Sequence, residues 1–84
     1  MKTYLVTGGA GFIGSNFVIY MLGKYSDVKI INVDKLTYAG NLENLKSVES
    51  NPNYVFVQAD ICDKEAIQSL FDQYDIDYVV PFAA

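Results

Sequence analysis

The sequence has little positive charge and lacks arginine and histidine altogether. Its six basic residues are all lysines, the net charge is −4, and no run of lysines marks a track for a phosphate backbone. Nucleic acid is therefore not an expected partner. Long apolar runs are missing too. FVIYML, at positions 17–22, is too short to cross a membrane, and the opening MKTYLVTGG is too short for a signal peptide. We expect a soluble protein that does not enter membranes.

Cysteine is nearly absent. Cys62 stands alone, so the chain can form neither an internal disulfide nor a cysteine metal cluster, and we expect no metal site. A single cysteine fits a reducing, cytoplasmic setting. We expect Cys62 to be a small, partly buried apolar residue.

What is present indicates a small globular α/β domain. The 84 residues are 51% hydrophobic and 14% aromatic, which suits one domain with a modest core. Apolar runs of strand length alternate with helical patterns in the order β-α-β-α-β-α-β, which predicts a parallel sheet covered by helices. Right-handed crossovers then give the strand order 3-2-1-4, the first half of a doubly wound Rossmann-type fold. The predicted strands are 3–7, 28–33, 54–59 and 77–82.

The predicted helices differ in character. The helix at 12–24 is apolar nearly all round, so we expect cover on more than one side. A short helix follows residue 41, and Asp63 is predicted to cap the last one. In that last helix four residues fit the i, i+3, i+4, i+7 template and are expected to face the sheet. They are Ile67, Leu70, Phe71 and Tyr74. Because the chain ends on an apolar strand, we expect residues 1–84 to be a fragment of a longer domain.

The run TGGAGFIGS follows the first strand and opens the first helix. It fits G-x-G-x-x-G if Gly9 is the first glycine, and G-x-x-G-x-x-G if Gly8 is. In either register the first glycine permits a tight turn, Gly11 lets backbone approach a pyrophosphate, and Gly14 lets the helix lie close to the strand. The helix N-terminus would direct N–H groups at the phosphates. A purely structural turn explains such a run equally well when it stands alone.

Asp34 supplies the context that favours a dinucleotide. It ends VKIINVD, the second predicted strand, twenty residues after Gly14. A carboxylate there can accept hydrogen bonds from the adenosine ribose hydroxyls and would repel a 2′-phosphate. The chain has no arginine to receive that phosphate, so NAD is favoured over NADP, with Lys35 as the one nearby argument to the contrary. The alternative is that Asp34 is a solvated loop acid.

Asp60 follows the third predicted strand as Asp34 follows the second. The carboxyl ends of parallel strands line the ligand crevice of such folds. Asp60 could accept a hydrogen bond from the adenine amine while Ile61 packs on the ring. The alternative is that Asp60 is an ordinary acid that competes with Asp63 for the helix cap.

These segments carry a family resemblance. TGGAGFIGSNF, INVDKLTYAGNLENL, QADICD and YDIDYVVPFAA resemble the N-terminal part of the dTDP-glucose 4,6-dehydratases, extended short-chain dehydrogenases/reductases that act on nucleotide sugars. The resemblance covers the whole chain, and DKLTYAGNLENL is its most specific part. UDP-galactose 4-epimerases share the glycine run but typically have a different loop after the ribose acid.

The resemblance implies NAD as cofactor and assigns residues to it. Pro81 departs from the family pattern, in which asparagine or an aliphatic residue is expected, and proline cannot donate within a central strand. The implied cofactor residues are Gly8, Gly11, Phe12, Ile13 and Gly14 at the pyrophosphate; Asp34, Lys35, Leu36 and Thr37 at the adenosine; Asp60 and Ile61 at the adenine; and Phe82, Ala83 and Ala84 at the end of the fourth strand.

The resemblance also implies a reaction: oxidation of the sugar C4 hydroxyl, loss of water across C5 and C6, and hydride return to C6. That chemistry needs a Tyr-x-x-x-Lys pair and a Thr-Asp-Glu segment. No Thr-Asp-Glu occurs in the chain. Tyr-x-x-x-Lys occurs at Tyr20 to Lys24 and at Tyr25 to Lys29, but we expect core packing for these tyrosines and solvent for the lysines, not catalysis.

We therefore expect no catalytic residue within these 84 residues. The nucleotide-sugar substrate and the subunit contacts of an implied homodimer would involve residues further along the parent protein. Two alternatives remain open at this point: the corresponding part of an epimerase or related reductase, and a nucleotide-binding module without catalysis.

Overall fold

The computed structural model describes residues 1–35 and 42–82, and these form a four-stranded parallel sheet with helices on both faces. The strand order is β3-β2-β1-β4, so the predicted α/β architecture and its 3-2-1-4 order are confirmed. The predicted elements all occur, with ends that differ by one residue in the strands. The bounds are β1 Lys2–Thr7, α1 Phe12–Lys24, β2 Val28–Asp34, a 3-10 helix Leu42–Val48, β3 Tyr54–Gln58, α2 Lys64–Gln73 and β4 Tyr78–Pro81.

The register of the sheet brings the carboxyl ends of the strands to one edge. β1 pairs with β2 up to Thr7 opposite Val33, and with β4 up to Thr7 opposite Pro81. On the other side, β2 pairs with β3 up to Asp34 opposite Gln58. The glycine run and the loops that carry the candidate residues therefore leave the sheet at the same edge.

Alternating strand residues build a core on each face of the sheet. On the face of α1 and the 3-10 helix, the buried core is Val6, Ala10, Val18, Met21, Leu22, Val28, Ile30, Leu45 and Val48. On the face of α2, it is Leu5, Ile31, Val33 and Leu70. Both faces are covered, which fits the largely apolar sequence of β2.

The two α-helices agree only in part with their sequence patterns. α1 contacts β2 and the 3-10 helix, while Phe12, Ile13 and Tyr20 are exposed. Among the described residues no helix has the length and apolar character to span a membrane.

In α2, the cap is confirmed but the position of Phe71 is not. Asp63 Oδ1 accepts a hydrogen bond from Ala66 N at 3.1 Å. Phe71, expected to face the sheet, is 43% exposed. At about 100° per residue, the other three template residues fall within about 60° of one another, whereas Phe71 lies about 70° from their centre. Those three, which pack with the Leu5 cluster, are Ile67, Leu70 and Tyr74.

Cys62 and Pro81 can each be compared with what the sequence predicted for them. Cys62 is exposed, so the expectation of partial burial is wrong; it lies in the turn between β3 and α2, away from both cores. Pro81 is accommodated at the end of β4 because the next residue makes the contact with β1. Phe82 N donates to Thr7 O at 2.7 Å.

Candidate functional site

The glycine run forms a tight turn between β1 and α1. Gly8 has a φ of 73°, in the left-handed region that favours glycine. Its N–H donates to Val33 O at 2.9 Å, and Gly11 N donates back to Gly8 O at 3.3 Å. Gly8 therefore makes the tight turn, in the register that the wider-spaced pattern describes.

The remaining glycines of the run have different structural reasons. A Cβ on Gly9 would overlap the side-chain amide of Asn32, and one on Gly14 would lie 2.6 Å from Gly8 O. Both are thus required by packing within the protein. Among the described residues, a Cβ on Gly11 would meet only Gly8 O, at an ordinary 3.5 Å. The described part of the chain therefore leaves room at Gly11, as expected of the glycine that a ligand approaches.

The N-terminus of α1 presents backbone donors at this turn. The helix hydrogen-bond series begins with Ser15 N, which donates to Gly11 O at 2.8 Å. The preceding N–H groups, of Phe12, Ile13 and Gly14, have no partner inside the helix by its geometry. The exposed Phe12 and Ile13 leave this end accessible, and oriented N–H groups with the helix dipole suit an anion.

Asp34 lies against the glycine turn. Its Oδ2 accepts a hydrogen bond from Ala10 N at 3.0 Å, across 24 residues of sequence. The carbonyl of the same Ala10 accepts from Asn44 Nδ2 at 3.2 Å. The fully buried Ala10 is therefore held at both of its polar backbone groups by side chains, one from the last residue of β2 and one from the 3-10 helix. Sequence reasoning did not identify Asn44, and nothing in its local pattern marks it.

Asp60 and Lys35 form an ion pair at the same sheet edge. Lys35 Nζ lies 3.1 Å from Asp60 Oδ2, and Asp60 Oδ1 accepts from Cys62 N at 2.9 Å. The hydrogen bond from Cys62 N, and then the Lys35 ammonium, lower the pKa of Asp60. Asp63, not Asp60, caps α2, so the two acids do not compete for one role. Ile61 is exposed beside them.

The buried Asn32 and the partly buried Tyr54 form a polar pair next to the glycine turn. Asn32 points to the α1 face, and its Nδ2 donates to Tyr54 OH at 3.1 Å. Burial raises the pKa of Tyr54, although the bond from Asn32 opposes this shift. Among the described residues, neither Asn32 Oδ1 nor the Thr7 hydroxyl has a hydrogen-bond partner. The polar Asn32 inside VKIINVD was a signal that sequence reasoning left unused.

Five of the expected cofactor residues come shortly after β2 in the sequence or at the end of the fourth strand. Leu36, Thr37, Ala83 and Ala84 fall outside the described residues. Phe82 follows β4, and its ring centroid lies 5.4 Å from that of Phe17 in α1.

Neither Tyr-x-x-x-Lys pair has a tyrosine in the core. Tyr20 is 55% exposed and Tyr25 41%, so the expected core packing is wrong. Lys24 Nζ instead lies 5.5 Å from the Tyr20 ring centroid. Tyr20 is also about 12 Å along α1 from its N-terminus, far from the glycine turn.

Comparisons with known proteins agree with this geometry. A dTDP-glucose 4,6-dehydratase from Neisseria meningitidis is 52% identical over the whole chain. A dTDP-glucose 4,6-dehydratase from Bacillus anthracis, solved in complex with NAD, is also 52% identical over the whole chain, with a TM-score of 0.97. A UDP-glucose 4-epimerase from Thermotoga maritima, solved with UDP-glucose, matches 98% of the chain at 38% identity, with a TM-score of 0.81.

These matches cover nearly all of this chain but only a small part of each relative. The chain spans 23% of the Neisseria relative, 27% of the Bacillus chain and 24% of the Thermotoga chain, about a quarter of each. The family model for GDP-mannose 4,6 dehydratases matches residues 5–84, nearly the entire sequence. This chain belongs to the GDP-mannose 4,6-dehydratase family.

Proposed function

We propose that this chain is the N-terminal, NAD-binding part of a dehydratase that converts dTDP-glucose to dTDP-4-keto-6-deoxyglucose. The proposal draws on the family, on the 52% identity to two dTDP-glucose 4,6-dehydratases, and on the NAD complex of one of them. The lower identity to the epimerase, 38%, favours dehydration over epimerisation. As the chain spans about a quarter of these relatives, we propose residues 1–84 as one part of the cofactor domain.

The observation that carries NAD binding is the contact between Asp34 and Ala10. It places a carboxylate directly beside the glycine turn, where the ribose next to a bound pyrophosphate would lie. Two further features fit a dinucleotide: the room that the described residues leave at Gly11, and the donors at the start of α1. Backbone conformation and contacts with the described residues require glycine at positions 8, 9 and 14, but they do not require it at position 11.

The residues that would hold NAD follow from this arrangement. Gly8, Gly11 and the first turn of α1 would surround the pyrophosphate. Asp34 would meet the adenosine ribose, Lys35 would lie at the adenosine end of the cofactor, and Asp60 and Ile61 would meet the adenine. Leu36, Thr37, Phe82, Ala83 and Ala84 belong to the proposed set on the strength of the family resemblance alone.

NAD, when bound, would accept a hydride from the sugar C4 and return it to C6 after water is lost. The residues of this chain would bind and orient the cofactor through backbone donors and the carboxylates of Asp34 and Asp60, and no base or acid for the sugar is proposed among them. We propose that the rest of the natural protein supplies these groups, so that residues 1–84 alone do not turn over dTDP-glucose. A 4-keto-6-deoxy product from the isolated chain would contradict this.

Product mass separates the two candidate reactions. The complete natural protein, loaded with NAD and given dTDP-glucose, should release a product lighter by one water molecule. An epimerase would release an isomer of unchanged mass. Failure to bind NAD in a calorimetric titration would overturn the proposal as a whole.

We further propose that the protein is a cytoplasmic homodimer of nucleotide-sugar metabolism that does not bind nucleic acid. The unpaired, exposed Cys62 suits a reducing compartment, and the net charge of −4 disfavours a polyanion. The dimer follows from the resemblance. Sedimentation of the complete natural protein should give twice the subunit mass, and a monomer would contradict it.

A further inference from the structure

The ion pair between Lys35 and Asp60 bears on which cofactor the site accepts, an inference that rests on the proposed function. Lys35 follows Asp34 directly, so its ammonium is the cation best placed to receive a 2′-phosphate on the adenosine ribose. Discrimination by the Asp34 carboxylate alone would be weakened by that cation. In the structure, however, Lys35 Nζ lies 3.1 Å from Asp60 Oδ2.

The Asp60 carboxylate is oriented by a hydrogen bond of its own, independently of Lys35. Its other carboxylate oxygen, Oδ1, accepts a hydrogen bond from Cys62 N at 2.9 Å, inside the turn that leads to α2. Because the turn already orients the carboxylate, only the lysine loses conformational freedom when the pair forms. The parallel register of β2 and β3, with Asp34 opposite Gln58, brings the two residues to neighbouring strand ends.

We propose that Asp60 determines cofactor specificity by holding the Lys35 ammonium away from the position of a 2′-phosphate. Asp34 repels that phosphate, and Asp60 withdraws the cation that would otherwise compensate. The adenine contact proposed for Asp60 is shared by NAD and NADP, so it cancels in the ratio of their dissociation constants. The ratio therefore isolates the effect on the 2′-phosphate.

Asp60→Asn is the decisive variant. Its Oδ1 can still accept from Cys62 N, so the turn is kept, but the amide no longer pairs with an ammonium. We expect the ratio of the NADP to the NAD dissociation constant to fall about twofold to fivefold. The effect is small because an exposed ion pair contributes little free energy. Asp63→Asn is the matched control: it removes the same charge at the same edge, keeps its cap, and should leave the ratio unchanged.

A double-mutant cycle assigns the effect to the lysine. In the complete natural protein, Asp60→Asn should lower the ratio in the Lys35 background and leave it unchanged in a Lys35→Met background. Lys64→Met, at the start of α2, controls for lost positive charge. Isothermal titration with each cofactor gives the constants, and thermal unfolding checks that the variants fold.

The cycle has two outcomes that overturn the proposal. If Asp60→Asn lowers the ratio equally with methionine at position 35, Asp60 acts by its own charge and not through Lys35. If the wild-type protein binds NAD but Asp60→Asn leaves the ratio of the NADP to the NAD dissociation constant unchanged, the ion pair plays no part in specificity. Absence of NAD binding in the wild type would instead overturn the proposed function, and this inference with it.

Discussion

The Asp34 carboxylate and the Ala10 backbone N–H are joined by a hydrogen bond of 3.0 Å. One residue thus braces the glycine turn and, in the proposed function, holds the cofactor ribose. Asn44 also contacts Ala10, because its side-chain amide donates a hydrogen bond to the Ala10 carbonyl. Structural and binding roles at position 34 can therefore be separated by choosing substitutions that keep or remove the acceptor.

Asp34→Asn and Asp34→Ala should differ in a defined way. Asparagine can still accept from Ala10 N, so stability should change little, while its lost charge should narrow the preference for NAD over NADP. Alanine leaves the buried Ala10 N–H without this acceptor and should cost about 1–3 kcal/mol of unfolding free energy. Denaturant unfolding and titrations with both cofactors test this pair. Unchanged discrimination in Asp34→Asn would contradict the assigned role of the charge.

Gly14→Ala should destabilise the fold, whereas Gly23→Ala in the same helix should not. The new Cβ at position 14 would lie 2.6 Å from Gly8 O and 2.8 Å from Gly9 Cα, so backbone must shift, at about 1–3 kcal/mol. At position 23 a Cβ would meet no described atom within 4 Å apart from its chain neighbours and the backbone of its own helix. Alanine there should raise the free energy of unfolding by about 0.5–1 kcal/mol through its higher helix propensity. Equal midpoints for the two variants in urea would show that the close approach is unimportant.

Gly11→Ala should affect ligand binding and leave folding nearly unchanged. Within the described part of the chain its Cβ meets only Gly8 O, at 3.5 Å, an ordinary contact, and φ is −72°, which any residue adopts. The methyl group would occupy space that the pyrophosphate needs, so we expect NAD affinity to fall about tenfold or more. The measurement is calorimetric titration alongside thermal unfolding. Full NAD affinity in Gly11→Ala would argue that the dinucleotide does not approach this glycine.

The pKa of the Asp60 carboxyl group should lie below that of a free aspartate, which is about 3.9. The hydrogen bond from Cys62 N is the largest single cause, and the Lys35 ammonium adds to it through its own hydrogen bond and its charge. Since the folded pKa is below the unfolded value, these contacts stabilise the fold above the unfolded pKa and are lost as pH falls through the folded one.

Carboxyl-carbon NMR titration of Asp60 checks the order of these causes. Lys35→Met should raise the pKa of Asp60 only in part, because the hydrogen bond from Cys62 N remains. Recovery of the full free-aspartate value in that variant would mean that the lysine, and not the turn, dominates. Lys64→Met again serves as the control for a lost positive charge.

Local patterns in the sequence were enough to predict the architecture and to propose residues for the site. Apolar periodicity, the glycine run and the Asp63 cap are local signals, because each depends on the conformation of a few neighbouring residues. They were enough to predict seven elements and the order 3-2-1-4. The distance in sequence between Gly14 and Asp34 likewise pointed to a dinucleotide, since that spacing reflects one strand-helix-strand unit.

Which side chains meet depends on tertiary contacts that no local pattern predicts. Asp34 and Asn44 both reach Ala10, Lys35 reaches Asp60, and Asn32 lies against Gly9. These contacts join residues on different strands and loops, so they depend on strand register and not on any local pattern. Whether a given side chain is exposed to solvent depends on tertiary contacts too. Phe71 and Cys62 carry apolar character in the sequence, yet the packing of α2 and its preceding turn leaves both in solvent, because burial depends on what lies opposite a residue.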